Sequence, residues 1–311
     1  MNILIATNTN YIGIASVMLY SLCRSNKNVE VDIYLAYHDL REEDIERLQK
    51  IVFHFGKELF PIDVGEEFSS KVPAKGRISQ ETYYRILVLN MLPQNMERIL
   101  YLDVDMLIKK DLTEVYETHM SDTCPFIVCE DITAGKRGGD EIERERVGIP
   151  NDYKYFNAGF MLINLKCLRK ESSINDILDS FYRDNNHYPY PDQDILNRMY
   201  YSKVQYAPWI LYNLPPEWWK VDIEAISRGE IRFATYMDMN NPSIEQEKRF
   251  ADATLQIRDN AYIIHYLGFL KPWLYRNKPM YSDVALYAGL WFDCEQEMYE
   301  KIEGLEKLKK C

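Results

Sequence analysis

The chain opens on a short apolar run, Ile3-Leu4-Ile5-Ala6, bounded by polar residues. Four apolar positions in a row with no helical period predict a strand covered on both faces. From Ile12 to Leu22 the apolar positions recur at helical spacing and predict a first helix. Val29 to Ala36 reads as a second strand. Asp39-Leu40-Arg41-Glu42 has the capping-box spacing and predicts a helix through Phe55. Leu59 to Val64 is a third strand. Ser79 is placed to cap a helix that Pro93 stops, and Arg98 to Leu102 is a fourth strand. Strands alternating with helices from the first residue predict an α/β architecture, a mostly parallel central sheet flanked by helices. Ligands of such sheets lie beyond the carboxyl ends of the strands. That rule singles out Thr7 to Tyr11 and Asp103 to Asp105.

The second half is less regular. Ser121 to Cys129 and Phe156 to Leu165 predict strands, Leu168 to Asn185 and Asp192 to Tyr201 helices, and Ala261 to Tyr266 a last buried strand. Thr133 to Gly148, rich in glycine and alternating charges, predicts a mobile surface loop. Tyr281 to Lys310 predicts a helix ending in the sequence LEKLKK. There is no internal repeat and no linker rich in Pro, Gly or Ser.

The 311 residues are 47% apolar and 27% charged, which excludes a disordered or low-complexity chain. The formal net charge of −11 argues against non-specific nucleic-acid binding and leaves carboxylates to spare for a divalent cation. Cys23, Cys124, Cys129, Cys167, Cys294 and Cys311 are scattered, with no zinc spacing, and predict free thiols in a reducing cytoplasm. No signal peptide and no membrane-spanning run is predicted. The 24 tyrosines suit a sugar- or nucleotide-binding surface, and equally suit half-buried positions.

The sharpest chemical feature is Asp103-Val104-Asp105, at the exit of an apolar strand. Side chains two apart share a face of an extended segment. Two adjacent carboxylates repel, and a hard divalent cation relieves that repulsion. The same pair also suits an exposed strand end, or a phosphatase of the haloacid dehalogenase type, which wants Thr or Val where this chain has Leu107. His265 ends the last strand, followed by Gly268 and Lys271. The imidazole suits an N/O coordination shell, the glycine a close backbone approach, and the lysine a phosphate. Asn157 and Gln193 are neutral amides able to hold sugar hydroxyls, and Asp192 suits either that purpose or a helix N-cap. No Ser/His/Asp or Cys/His nucleophile arrangement, P-loop or GxGxxG is present.

Six blocks follow one another in a telling order: Ala6-Thr-Asn8-Thr-Asn10-Tyr11, Ser79-Gln-Glu-Thr-Tyr-Tyr-Arg85, Tyr101-Leu-Asp103-Val-Asp105, Tyr155-Phe-Asn157-Ala-Gly159, Asp192-Gln193-Asp194-Ile-Leu-Asn197, and His265-Tyr-Leu-Gly268-Phe-Leu-Lys271-Pro-Trp273. In this order they resemble glycosyltransferase family 8, whose members include bacterial lipopolysaccharide galactosyl- and glucosyltransferases and glycogenin. The resemblance implies the GT-A fold over 1–275, with a C-terminal helical extension over 276–311. It implies Mn2+ or Mg2+ held by Asp103, Asp105 and His265, and a diphosphate gripped by Gly268 and Lys271. Ala6, Asn8, Asn10 and Tyr11 would hold the uracil and ribose, with Asn8 standing where an acid would receive the uracil imide proton, and Val104 would join the donor-binding residues. Arg85, Asp103, Asn157, Gly159, Asp192 and Gln193 would surround the donor sugar.

The implied reaction moves a hexose from UDP-galactose or UDP-glucose to a glycan hydroxyl with retention, in cell-surface polysaccharide or lipopolysaccharide synthesis. Same-face attack is the favoured route. Gln193 would shield positive charge on the anomeric carbon, and Asp192 is the better nucleophile on chemical grounds. A catalytically silent nucleotide-sugar-binding protein is the remaining alternative. The tail from Tyr281 reads as a packed helix, with peripheral membrane association at most.

Overall fold

The computed structural model describes residues 1–66, 81–132, 140–171, 176–177, 179–180, 190–216, 255–268, 271–276 and 282–308. Its centre is a seven-stranded sheet in the order β3-β2-β1-β4-β7-β6-β8. The strands are β1 (Asn2–Ala6), β2 (Asp32–Tyr37), β3 (Glu58–Asp63), β4 (Arg98–Leu102), β6 (Phe126–Glu130), β7 (Phe156–Asn164) and β8 (Gln205–Ala207). Among them β7 alone runs against the rest, pairing antiparallel with both β4 and β6. A separate two-stranded ribbon joins β5 (Met106–Ile108) to β9 (Ile263–His265). The helices are α1 (Ile12–Ser25), α2 (Glu42–Phe53), α3 (Glu81–Leu87), α4 (Thr113–Tyr116), α5 (Asp140–Val147), α6 (Leu165–Glu171), α7 (Pro191–Tyr200), α8 (Trp209–Tyr212) and α9 (Ser282–Lys301). None of the described helices is long and apolar enough to cross a membrane.

Alternation along each strand feeds two cores. Ile3, Ile5, Ile33, Leu35, Leu100 and Leu102 face one of them, with α1, α2 and α9. Leu4, Ala6, Ile99, Tyr101, Met161 and Ile163 face the other, with α3 and α7. Burial on both sides is why these strands read as unbroken apolar runs. The C-terminal helix belongs to the first core, since Trp291, Cys294 and Met298 are buried in the same cluster as Ile3. The five described cysteines are buried.

The α/β expectation holds, with several element boundaries corrected. β2 starts at Asp32, not Val29, because the Val29 amide closes a turn onto the Asn26 carbonyl. α2 starts at Glu42: Asp44, rather than an upstream acid, accepts from the Arg41 amide at 3.3 Å. β6 starts at Phe126, after a turn from the Cys124 amide to the Ser121 carbonyl. The predicted loop over 133–148 contains helix α5, whose Val147 is buried; residues 133–139 lie outside the described set. α9 stops at Lys301, ahead of Gly304 at φ +68°, so Leu305 to Leu308 are not helical. α6 begins at Leu165 and is described to Glu171, and Ser79 lies outside the described residues. The short elements β5, β8, α4 and α8 have three or four residues each, too few to carry a period.

The ring of Trp291 lies 5.4 Å from those of Trp273 and Phe292, under the Arg276 guanidinium. Trp291→Ala is expected to lower the unfolding free energy by about 3–5 kcal/mol, the range for emptying a buried large ring. Equilibrium urea unfolding measures it, and a loss below about 1 kcal/mol would show that α9 is not integral to the core.

Candidate functional site

β4 runs out at Leu102, and the Asp103 amide makes one more ladder bond, 2.9 Å to the Gly159 carbonyl. The chain then turns into β5. In the β5–β9 ribbon Met106 stands opposite His265, and the Tyr266 amide donates to the Asp105 carbonyl at 2.9 Å. Main-chain pairing thus closes the 160-residue gap between the acidic pair and the imidazole. His265 Nε2 lies 3.0 Å from Asp105 Oδ1 and 3.7 Å from Asp103 Oδ2. One ligand atom from each of the three side chains falls within a 4.8 Å cluster. Val104, between the aspartates, is buried in the hydrophobic core.

The second ring nitrogen, Nδ1, faces Asn213 Oδ1 at 2.7 Å. With the amide oxygen towards the ring, Nδ1 donates to Asn213, which leaves Nε2 as the ring nitrogen that would ligate a cation. Two carboxylate oxygens and an imidazole lone pair converging on one point are a donor set that fits a divalent cation. Gly159 forms the floor. A Cβ there would come within 2.5 Å of both Asp103 Oδ2 and His265 Cε1, and 2.9 Å of Asn157 Oδ1.

Two cations flank the cluster. Lys271 Nζ is 2.6 Å from Asp105 Oδ2. Its segment is anchored by the buried Trp273 and by Arg276, which grips Glu295 of α9 with two bonds of 2.6 and 2.7 Å. Arg85 is buried, 3.2 Å from Asp103 Oδ1 and 3.5 Å from Asp192 Oδ2, with a further 2.6 Å bond to the Ala158 carbonyl. Its guanidinium lies over the Tyr101 ring, whose hydroxyl donates to Asp103 at 2.7 Å. Burial pushes the Asp105 carboxyl up, but Lys271 and His265 outweigh it and hold the group well below the usual carboxylate range. Burial likewise raises Asp192, against the pull of Arg85 and with the repulsion of Asp103. Burial would lower Lys271, and the Asp105 carboxylate reverses that, keeping it charged.

Beside this centre lies a hydrogen-bonded web of neutral amides. Gln193 Oε1 accepts from Asn157 Nδ2 at 3.1 Å and from the Ala158 amide at 3.0 Å. Its Nε2 donates to Asp131 Oδ2 at 2.9 Å and to the Tyr155 hydroxyl at 3.2 Å. All four hydrogen-bonding positions of the Gln193 amide are therefore taken by protein. Asp194 is fully buried, bonded to Tyr155 at 2.6 Å and to Arg146 of α5 at 2.5 Å. Asn197 binds both the amide and the carbonyl of Phe156, fixing α7 to the start of β7.

At the end of β1, Asn8 accepts from the Asn10 amide at 2.9 Å, which shapes the turn Thr9–Tyr11. The Tyr11 amide closes this turn by donating to the Asn8 carbonyl at 3.0 Å. Ala6 ends the same strand, and Gly268 has φ +73°, a conformation that favours glycine. Asn213, Asp131 and Arg146 are contributors that sequence reasoning passed over, and Tyr101 and Tyr155 stood in the quoted blocks with no role assigned. Of these Asp131 alone carried a signal, a carboxylate just beyond a strand, as at Asp103. Among the described residues the two aspartates share their site with His265, which haloacid dehalogenase chemistry does not use.

Comparison with known proteins agrees with this arrangement. The profile of "Glycosyl transferase family 8" matches residues 2–277. General stress protein A of Bacillus subtilis (strain 168) is 24% identical, covering 91% of each chain. Lipopolysaccharide 1,2-glucosyltransferase of Escherichia coli (strain K12) is 21% identical over 94% of this chain and 79% of its own length. Among solved structures, the galactosyltransferase LgtC in complex with donor and acceptor sugar analogues superposes with a TM-score of 0.71, at 23% identity and 96% coverage of both chains. That likeness carries the GT-A fold. With the family profile spanning nearly the whole chain, this protein belongs to glycosyltransferase family 8.

Proposed function

We propose that the protein transfers galactose or glucose from its UDP-sugar to a hydroxyl of a glycan acceptor, with retention, in the synthesis of a cell-surface polysaccharide or lipopolysaccharide. The observation that carries this reading is the convergence of Asp103, Asp105 and His265 within 4.8 Å, with Lys271 at their edge. Mn2+ or Mg2+ held by these three would supply Lewis-acid stabilisation of the departing diphosphate. Residues 1–275 form the transferase unit in this reading, with 276–311 as its extension. The buried thiols suit a cytoplasmic setting.

The remaining roles fall to this chain's own groups. Lys271 and the Gly268 backbone face the diphosphate, Lys271 as a point charge stabilising the leaving group. Ala6, Asn8, Asn10, Tyr11 and the Val104 backbone cradle the uridine. Arg85 holds Asp103 and Asp192 at a fixed separation, so that Asp192 accepts from sugar hydroxyls instead of swinging into the metal position. Gln193 acts mainly as an organiser, since its amide is committed to Asn157, Asp131, Tyr155 and the main chain. It thereby sets the face beneath the anomeric carbon. Same-face attack, with the leaving phosphate taking the acceptor's proton, needs no enzyme nucleophile.

A screen of UDP-sugars measures this directly. UDP release from UDP-galactose or UDP-glucose with Mn2+, lost in excess chelator, is expected; undiminished release in chelator would remove the metal role. Release without any acceptor-linked product would favour a different transfer target, while no release at all would leave a silent binding protein.

Two substitutions report on the floor and the web. Gly159→Ala should leave the fold intact and cut kcat by about a hundredfold, because shifting reacting groups by about 1 Å costs that much. A crystal structure of the variant should show Asp103 or His265 displaced. Gln193→Ala should reduce kcat by a similar factor of about a hundred, with donor KM little changed. Near-normal turnover of that variant would argue against any organising role for the amide.

A further inference from the structure

The acidic centre already holds a cation of its own. Asp105 Oδ1 lies 3.0 Å from His265 Nε2, and its Oδ2 is paired with the Lys271 ammonium at 2.6 Å. Three carboxylates, Asp103, Asp105 and Asp192, meet two fixed cations, Arg85 and Lys271. Arg85 is enclosed between its two aspartates and the Ala158 carbonyl. Lys271 is differently placed. It is the last residue before the Pro272–Tyr275 turn, it is ion-paired to Asp105, and its ammonium lies 5.6 Å from the Trp273 ring.

We propose that Lys271 is an exchangeable internal counter-cation of Asp105. It neutralises that carboxylate in the nucleotide-free protein and moves to the diphosphate when a divalent ion takes Asp105. The inference rests on the metal reading above and adds to it an interdependence. Counted over these three carboxylates and two side-chain cations, one negative charge is in excess. A dication alone converts this to one positive charge in excess, with the Lys271 ammonium beside the ion and its partner lost. Like charges that close in a partly buried site repel strongly. A diphosphate arriving with the ion removes the conflict, because it offers the ammonium new oxygens and restores the charge balance. Metal and diphosphate should therefore strengthen each other's binding, the reciprocity that any coupling between two ligands obeys.

The experiment is Mn2+ binding to the full chain, followed by electron paramagnetic resonance of free Mn2+ and by calorimetry, with and without saturating UDP. Three proteins are compared: the natural sequence, Lys271→Met, which keeps the stem and removes the charge, and Lys271→Arg, which keeps the charge. The natural protein should bind Mn2+ weakly alone and about tenfold or more tightly with UDP, within the usual span of coupling between two sites. Lys271→Met should bind Mn2+ about tenfold more tightly than the natural protein without UDP, and should gain little on its addition. Lys271→Arg should stay close to the natural protein. If Lys271→Met binds Mn2+ no more tightly than the natural protein while both respond equally to UDP, the counter-cation is refuted and the metal site stands. If the natural protein binds no Mn2+ even with UDP, the metal reading itself falls, and this inference with it. The sign of the change separates a counter-cation from a merely structural lysine, whose loss would weaken the metal or leave it unaffected.

Discussion

Like charge brought into a confined space is the constraint around which this molecule is arranged. Asp103, Asp105 and Asp192 converge at the end of one central strand and one neighbouring helix, and each is at least three-quarters withdrawn from water. Unpaired carboxylates in such a place would cost several kcal/mol apiece. The surrounding structure supplies what offsets that cost: Arg85 between two of them, Lys271 against the third, the Tyr101 hydroxyl on Asp103, and the His265 imidazole beside Asp105. In the proposed function this strain is useful, since the charge pattern would be completed by a metal and a nucleotide diphosphate arriving together.

Main-chain geometry does the gathering. The sheet delivers Asp103 in register with Gly159, and the β5–β9 ribbon sets Met106 opposite His265, so that the acidic pair and the imidazole are joined by backbone pairing more than by side-chain preference. A second layer fixes the amides. Asn197 takes both polar groups of Phe156, and Asp194 is shared by Tyr155 and Arg146, which leaves Gln193 a single low-energy orientation. The bonds of the web are mutually exclusive with any large rotation of that side chain, a rigidity that suits a surface beneath a developing positive charge.

Much of this was legible in the chain itself. The doubly buried strands announced themselves as apolar runs, and the aspartate pair stood at a strand exit where the topology of parallel sheets puts ligands. His265 and Lys271 could be named because they followed the last apolar strand. What stayed hidden depends on contacts between distant segments. Nothing near Asn213 says that it will orient His265, and nothing near Arg146 says that it will reach Asp194 across 48 residues. The charged stretch holding α5 looked like a loop because its stabilising partner lies on another helix. Gln193 was read as facing the donor because its residue type allows it; the occupancy of all four of its bonding positions is a property of the folded web alone. The three-residue strand of the ribbon is too short for any pattern, yet it positions the imidazole.

The bidentate contact between Arg276 and Glu295 has a consequence for how the molecule is born. Translation proceeds from the amino end, so the groups that handle charge are all made before the helix that braces the lysine's segment. A nascent chain can pair its strands and collect its aspartates while Arg276 still lacks its anchor. The pocket is thus finished late, by a helix with no part in the chemistry, and a ribosome-bound precursor would hold the acidic centre without a firmly seated ammonium to guard it.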